Sequence, residues 1–331
     1  MKTKKLGGLS SMIGIIGAFL ILCIILTIAS ENFLTFSNLS SILKQTPFTA
    51  LIAIGMLFCL ITAGIDLSVG ANATFCACLM GMMLQKGITN SFVLIVAGIL
   101  AGVLVGLING TLLTRLHLPH PFVSTLGMKN VLWGAALVVT GSQMVGGFPE
   151  GVMWLGSAEV TGIPVSMILV IILYIILHIV LTRTTFGRSV YCAGGNMEAT
   201  RLSGINSANV LTACYVLSGF TAALAGIVSI GRSGVCNGTN AIQPYDTDAI
   251  ASCVLGGASF MGGKGTVLGT MIGALIITTL RNGFSLLSIN TAVQNMVLGL
   301  VIILAVLLDV VREQMAARSR RLAAAAAAAK Q

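Results

Sequence analysis

Long apolar runs separated by short polar segments dominate this chain. Most runs hold about 17 to 25 residues rich in Leu, Ile, Ala and Gly, the length that crosses a bilayer as a helix. They lack the short alternation of a membrane barrel. We therefore predict an all-α, polytopic bundle of about ten membrane-spanning helices. The runs are Leu9–Ile28, Phe48–Ala63, Leu67–Gln85, Ser91–Thr114, Phe122–Thr140, Pro164–Leu181, Ala208–Ile230, Asp248–Ser259, Thr266–Leu280 and Ala292–Leu308.

The polar segments between the runs carry further expectations. Asn38 to Gln45 has the pattern of a short amphipathic helix lying at the membrane interface and ended by Pro47. Gly141 to Gly162 is predicted to be a polar loop. Residues 1–312 form one transmembrane domain, and residues 313–331 form a tail whose alanine run is left out of the functional argument.

The basic residues predict the orientation of the bundle. With the N-terminus inside, the inner segments hold most of the eighteen lysines and arginines, Lys129 among them. The outer segments hold only Lys44, Lys86, Arg232 and Arg281. Both termini are therefore expected in the cytoplasm.

Composition excludes several classes of protein. The chain is 56% hydrophobic and 8% charged, against about 25% charged in a soluble domain. The net charge of +9 would suggest nucleic acid for a soluble protein, but no nucleic-acid module is present, and membrane lipid is the expected surrounding. The cysteines and histidines show no metal-ligand spacing, so no metal is expected. Only Cys236 falls in a segment predicted to lie outside, which gives no outward disulfide framework.

Glycines recur at a spacing that suggests close helix packing. Gly102, Gly106 and Gly110 form GxxxGxxxG in the fourth run, and Gly265, Gly269 and Gly273 repeat it in the ninth. The two runs lie five apart and point in opposite directions, which is consistent with an inverted repeat of five and five helices. Coincidence competes with this interpretation, whereas close packing of both helices is the firmer expectation.

No sequence motif predicts catalysis or nucleotide binding in this chain. The stretch Gly256–Thr266 resembles a P-loop, but Lys264 is followed by glycine instead of Ser or Thr. It is better interpreted as a flexible inner hairpin. The acidic residues and histidines form no catalytic constellation, so we expect a transport subunit and not an enzyme.

Two acidic clusters stand beside predicted helix starts. Asp66 or Ser68 is expected to cap the third span, a bond worth roughly 0.5–2 kcal/mol, and a role as gate or hinge is the alternative. Asp246, Thr247 and Asp248 repeat the arrangement before the eighth span, where capping is again expected first and contact with a solute or an external protein is the alternative.

The longest polar stretch between two apolar runs is Thr184 to Asn206. The run Gly194-Gly195-Asn196 can end one helix and start another, and a short helix is predicted from Met197 to Leu202, ending at Gly204. In a chain otherwise soluble in lipid, this stretch is a docking surface or a generous connecting loop.

Four stretches together closely resemble the permease subunits of ribose/xylose/galactoside-type bacterial ABC importers. They are ITAGIDLSVG at 61–70, VSTLGM at 123–128, TTFGRSVYCAGGNMEATRLSGIN at 184–206 and VLGGASFMGGKGTVLGT at 254–270. The resemblance runs in order from about Phe33 to Asp309. It implies an importer of a monosaccharide that works by alternating access in the inner (plasma) membrane of a bacterium.

The resemblance also implies partners. These are a second permease subunit, identical or homologous, a cytoplasmic ATPase with two nucleotide-binding domains that binds ATP and Mg²⁺, and a periplasmic or lipid-anchored sugar-binding protein. The family's coupling segment falls on Gly187 to Gly204, where Thr200 replaces a smaller residue. The implied coupling residues are Gly187, Arg188, Gly194, Gly195, Asn196, Glu198, Arg201 and Gly204.

Residues of the solute path are a separate hypothesis, based on the aromatic and amide side chains that bind sugars. The candidates for the path or its gate are Asp66, Ser68, Asn72, Thr74, Gln143, Phe148, Asn237, Gln243 and Tyr245. A secondary transporter driven by Na⁺ or H⁺, with a broken-helix site near Gly64 to Gly70, is the alternative function.

Overall fold

A computed structural model describes residues 3–328 and consists mainly of helices. Two short antiparallel ribbons connect some of them: β1 (Val145–Gly146) pairs with β4 (Val235–Cys236), and β2 (Glu159–Val160) pairs with β3 (Ile163–Pro164). A 3₁₀ helix, Gly238–Ile242, follows β4. The α-helices are α1 Thr3–Ala29, α2 Phe36–Ile61, α3 Val69–Gln85, α4 Ser91–Thr114, α5 Pro121–Thr140, α6 Glu150–Ser157, α7 Val165–Arg183, α8 Thr185–Gly195, α9 Met197–Leu202, α10 Ser207–Ser233, α11 Tyr245–Leu255, α12 Val267–Leu286 and α13 Thr291–Ala328.

The all-α membrane architecture is confirmed. Within the described residues, six helices are long and apolar enough to cross a membrane, namely α2, α4, α5, α7, α10 and α12. Shorter apolar stretches lie in α1, α3 and α13. The remaining predicted run is the much shorter α11, which has 11 residues. The total of ten spans stays a prediction.

Contacts between helix termini define two ends of the bundle. At the first, which we call the α8–α9 end, Arg115 binds Asn209 and α8 contacts the C-terminus of α2. At the second, which we call the ribbon end, β1 pairs with β4, and Gly156 of α6 packs on Gly231 of α10. The chain passes back and forth between these two ends, as the apolar runs predicted.

Helices α2 and α10 form the centre of the bundle. In their most apolar stretches, 78% of the residues of α2 and 72% of those of α10 are buried. The corresponding values are 28% for α4 and 22% for α5, whose outer faces are available to lipid. The two central helices cross at Gly55, where an added Cβ would lie 2.8 Å from the Cα of Ser218. The Tyr174 hydroxyl of α7 donates a 2.8 Å hydrogen bond to the Ala50 carbonyl and so fixes α7 against α2.

Both glycine rows mediate close packing, as predicted. A Cβ on Gly106 would overlap the carbonyl oxygen of Tyr215, and Gly102 lies against Gly219, so α4 packs directly on the backbone of α10. In α12, Gly269 and Gly273 pack instead on the backbone of α11. The two rows therefore meet non-equivalent neighbours and lend little support to the inverted repeat, which stays a prediction.

The predicted interfacial helix at Asn38–Gln45 is wrong. These residues form the first turns of α2, which continues through Pro47. Asn38 is buried and donates to the Phe33 carbonyl, and it accepts a 2.9 Å hydrogen bond from Asn282 of α12. Packing against α12 therefore holds the helix together where proline removes one backbone hydrogen bond.

The segment Gly141–Gly162 is more ordered than a polar loop. It contains β1, β2 and the eight-residue helix α6, whose Gly151 lies on the Ser91 side chain. Two glycines and a Pro149 N-cap without a side-chain bond hide this helix from a sequence pattern. At the C-terminus, α13 runs without a break past residue 312 to Ala328, and residues 329–331 lie outside the described part of the chain.

The α4–α10 contact predicts an asymmetric effect of glycine substitution. Gly106→Leu places a side chain into the Tyr215 backbone, whereas a Cβ on Gly134 of α5 meets nothing within 4 Å. We expect Gly106→Leu to abolish the folded protein or lower its melting temperature sharply, and Gly134→Leu to leave it unchanged. Size-exclusion profiles and thermal unfolding of the detergent-purified variants measure this. Equal melting temperatures would contradict the described packing.

Candidate functional site

The polar stretch Thr184–Asn206 folds into two short capped helices. The Thr184 hydroxyl accepts the Gly187 amide at 3.1 Å and caps α8, and the Asn196 side chain accepts the Ala199 amide at 2.9 Å and caps α9. Gly204, with φ of +81°, allows the turn that follows α9. The predicted helix break at Gly194–Asn196 and the helix from Met197 to Leu202 are both confirmed.

Helix α8 is fixed to the core through backbone contacts. Gly194 lies so close to the Ile61 carbonyl that a Cβ would overlap its oxygen. The same oxygen accepts a 2.8 Å hydrogen bond from the Gly263 amide, and the Tyr191 hydroxyl donates 2.7 Å to the Gly265 carbonyl. The turn 256–265 is therefore packed between α8 and α2, which corrects its interpretation as a flexible hairpin.

The solvent face of this unit carries most of the predicted coupling residues. Arg188, Gly195, Asn196, Glu198, Arg201 and Gly204 are exposed, whereas Gly187 is buried and Gly194 is half-buried. Glu198 and Arg201 form a 2.7 Å ion pair on α9, and the hydrogen bond from Arg201 lowers the pKa of the Glu198 carboxyl. Leu202 is 77% exposed beside them. Thr200 is buried and bonds the Asn196 carbonyl, so it belongs to the interior of the unit.

Asp66 is the centre of a buried polar network between α2 and α3. The side chain is 1% exposed. One carboxylate oxygen accepts the Ser68 hydroxyl at 2.6 Å and the Ser68 amide at 3.1 Å, and the other accepts the Ser218 hydroxyl at 2.7 Å. Ser68 in turn accepts 2.8 Å from the Asn109 amide. The carboxylate thus joins α3, α4 and α10.

The expected capping of α3 is only partly correct. Ser68 holds the N-cap position but makes no side-chain capping bond, because its hydroxyl is directed to Asp66. The turn between α2 and α3 is held by other helices as well, since the Ile65 carbonyl accepts Tyr215 at 3.2 Å and Thr125 at 3.4 Å. The turn that carries Asp66 is therefore a junction within the bundle interior.

The structure divides the nine predicted path residues into three groups. Asp66 and Ser68 form the buried network, and Asn72 lies one turn farther along α3, donating 3.3 Å to the Gly102 carbonyl. Thr74, Asn237 and Tyr245 line a small cavity with space of about 20 Å³, enough for about one water. Phe148 is buried and Gln143 and Gln243 are exposed, all three apart from that cavity and network.

Two partly buried ion pairs, each with a buried carboxylate, hold the start of α11, and the sequence did not predict them. The Lys129 ammonium binds both Asp246 oxygens at 2.9 and 3.0 Å, and Arg281 binds Asp248 at 2.7 Å through two nitrogens. The prediction that Asp246, Thr247 and Asp248 cap α11 is wrong: Pro244 holds the N-cap position, without a side-chain bond, and the two carboxylates bind cations.

These pairs also correct the charge count. Lys129 was assigned to an inner segment and Arg281 to an outer one, but each lies within a helix, α5 and α12 respectively. Neither cation faces a loop, because each is bound by an acidic residue of α11. Leaving out Lys129 and Arg281 removes one basic residue from the count for the inner segments and one from the count for the outer segments. The excess of basic residues in the predicted inner segments therefore persists.

The partly buried Asp248–Arg281 pair should matter much more to stability than the exposed Glu198–Arg201 pair. Asp248→Asn leaves the Arg281 charge uncompensated, and we expect a loss of about 3–5 kcal/mol in the free energy of unfolding. Glu198→Gln breaks an exposed pair on α9 and should change little. Asp248→Leu with Arg281→Met should recover much of the loss, because no lone charge remains. Thermal or denaturant unfolding in detergent compares the three; similar stabilities for Asp248→Asn and Glu198→Gln would contradict this assignment.

Comparisons with known proteins agree with this architecture. The family described as the branched-chain amino acid transport system permease component matches residues 38–306. The ribose import permease protein of Bacillus subtilis (strain 168) is 40% identical over 320 residues, covering 93% of this chain and 98% of that protein. The D-allose transport system permease protein of Escherichia coli (strain K12) is 38% identical over 297 residues, covering 88% and 90%.

A more distant relative has a third sugar in its name. The galactose/methyl galactoside import permease protein of Escherichia coli (strain K12) is 32% identical over 317 residues, covering 89% of this chain and 93% of that protein. No solved structure matches the chain. Family match, identity and coverage lead to one conclusion: this multi-pass membrane protein belongs to the family of transport-system permease components.

Proposed function

We propose that this chain is the membrane-spanning subunit of an ATP-driven importer of a monosaccharide in the bacterial inner membrane. The observation that carries the proposal is near full-length similarity to permeases named for ribose, D-allose and galactose or methyl galactoside. Its ligand is therefore a pentose or hexose. The subunit itself is not an enzyme; ATP and Mg²⁺ bind to a partner ATPase.

The partners follow from this assignment. Two permease subunits, identical or homologous, enclose the path, an ATPase with two nucleotide-binding domains docks from the cytoplasm, and a periplasmic or lipid-anchored binding protein delivers the sugar. The excess of basic residues supports a cytoplasmic α8–α9 end and cytoplasmic termini. The ribbon end then faces the binding protein, and the exposed Gln143 and Gln243 at that end are candidate contacts.

The exposed face of α8 and α9 is the proposed ATPase surface. Arg188, Asn196, Glu198 and Arg201 supply polar contacts, and Leu202 supplies an apolar one. Motion of α8 would reach the core through the Ile61 carbonyl, because Gly194 abuts that atom and Gly263 donates to it. Five residues later the same segment carries Asp66. ATP-driven motion can shift the path only if the ATPase contacts α8 and α9 differently in its two states.

A transporter driven by an ion gradient is the competing function. It draws on one observation: Asp66 is a buried carboxylate at a helix break, and among the described residues it accepts hydrogen bonds from the neutral Ser68 and Ser218. Gradient-driven sugar uptake by the purified chain alone in liposomes would favour it. Uptake that needs the ATPase and ATP would exclude it.

Substitutions on α9 test the docking surface. We expect Leu202→Asp, and separately Glu198→Lys with Arg201→Glu, to abolish co-purification of the ATPase and to lower ATP-dependent uptake at least about tenfold. Both sites are exposed, so folding should be unaffected. Lys86→Glu, an exposed charge reversal at the ribbon end, is the matched control and should bind the ATPase normally.

Co-purification, thermal unfolding and uptake of labelled pentoses and hexoses are measured on the same preparations. Normal ATPase binding and transport by both α9 variants would place the docking contacts elsewhere. Loss of binding in Lys86→Glu as well would point to a general defect and contradict a local surface.

A further inference from the structure

A second cavity lies between α2, α10 and α12, toward the ribbon end. It has space of about 100 Å³, several times that of the small cavity at Thr74 and Asn237. Five of its six lining residues have polar side chains, two of them arginines: Gln45, Phe48, Thr49, Arg232, Thr278 and Arg281. None of these residues is among the path residues predicted from the sequence. One of those path residues, Tyr245, packs on Phe48 at the cavity wall.

Thr278 gives the cavity an unused hydrogen-bonding group. Its side chain is 3% exposed, and its hydroxyl has no hydrogen-bond partner among the described residues. Threonines inside helices commonly donate to the carbonyl four residues earlier, as Thr46 and Thr140 do here at 2.8 Å. A buried hydroxyl without a partner is costly, and at the cavity wall this one is placed where a ligand in the cavity could bond it.

The charges at the cavity are unequal. Arg281 is neutralised, since it binds Asp248 through two nitrogens at 2.7 Å. Arg232 is exposed at the end of α10 and makes no ion pair with any described residue, so its donors are open to water or to a ligand in the cavity. The Gln45 amide nitrogen donates 2.9 Å to Ser41, which leaves its carbonyl oxygen as an acceptor. The wall therefore combines donors with an acceptor, the set that matches vicinal hydroxyl groups.

Phe48 connects this cavity to the smaller one. It lines both, and it packs edge-on against Tyr245 with ring centroids 4.6 Å apart. The smaller cavity is also lined by Thr74 of α3, by Ser229 of α10, and by Asn237 and Asn240 at the 3₁₀ helix. The start of α11, which carries Tyr245, is held by the ion pairs of Asp246 and Asp248. The contact between Phe48 and Tyr245, the latter at this fixed helix start, thus separates the two cavities.

We propose that the cavity at Arg232 and Thr278 is a monosaccharide-binding station on the outer half of the transport path. Arg232 and Thr278 bind ring hydroxyls, Phe48 packs against the apolar face of the sugar ring, and the Phe48–Tyr245 pair separates this station from the smaller cavity. The inference rests on the proposed import function and adds the residues that hold the sugar within the membrane subunit.

Paired threonine substitutions provide the test. Thr278→Val removes the hydroxyl while keeping the shape of the side chain. Thr279→Val is the matched control, because Thr279 is equally buried and its hydroxyl is also unpartnered, but it does not line the cavity. Arg232→Gln removes the unpaired charge and keeps one donor group. Each variant is assembled with its ATPase and binding protein in proteoliposomes, at saturating sugar-loaded binding protein.

We expect Thr278→Val and Arg232→Gln to lower the rate of sugar uptake about tenfold each, the effect of losing one hydrogen bond to the ligand. The preference among epimeric pentoses and hexoses should shift, whereas ATPase co-purification and ATP hydrolysis without sugar should match wild type. Thr279→Val should transport like wild type. Phe48→Leu should lower uptake, with partial rescue in Phe48→Tyr.

Three outcomes overturn the proposal. Wild-type uptake and epimer preference in both Thr278→Val and Arg232→Gln would exclude the station while leaving the import function intact. Equal loss in Thr278→Val and Thr279→Val, with lowered melting temperatures, would assign Thr278 a structural role. Failure of the wild-type complex to take up any sugar of the panel would overturn the import function and the station together.

Discussion

The carbonyl group of Ile61, at the end of α2, is the point where the main parts of this protein meet. Gly194 of α8 approaches it without a side chain, and the Gly263 amide donates to it at 2.8 Å. Any Cβ at position 194 would separate these backbones. The same segment then passes through Asp66 into α3. A surface unit, a helix-connecting turn and the central helix are therefore joined within a few residues, and the joint depends on close backbone contact.

Polar groups within the bundle are satisfied by one another, because lipid offers them no partners. Asp66 takes three hydrogen bonds from Ser68 and Ser218, and Asp248 takes two from Arg281. These groups sit where helices break or begin, between α2 and α3 and at the start of α11. The hydrogen bonds offset the cost of burying these carboxylates, and because Ser218 and Arg281 come from other helices, each polar cluster also fixes helix positions. The orphaned hydroxyls of Thr278 and Thr279 depart from this rule, and that of Thr278 lies at the wall of a cavity.

The sequence predicted what local pattern controls. The helix break at Gly194–Asn196, the α4 boundaries and the close packing at Gly106 follow from turn residues and apolar runs, and the structure has them. It failed where distant contacts decide. Pro47 indicates a helix end, yet Asn282 and the core hold α2 intact; Asp246 and Asp248 look like caps, yet Lys129 and Arg281, more than thirty residues away, bind them. Of the path candidates, three line one cavity, but Arg232 and Thr278 carry no local signal because their significance depends on three helices meeting.

The reactivity of Cys192 tests the central claim most directly. Of the eight cysteines it alone is exposed, and it lies on α8 in the row that includes Arg188. A membrane-impermeant maleimide should label it in inverted membrane vesicles stripped of the ATPase, should not label it in spheroplasts, and should be blocked when the ATPase is added back. Labelling in spheroplasts would show that α8 faces outward, opposite to the proposed orientation. Labelling that the bound ATPase leaves unchanged would contradict docking on this face of α8 and α9.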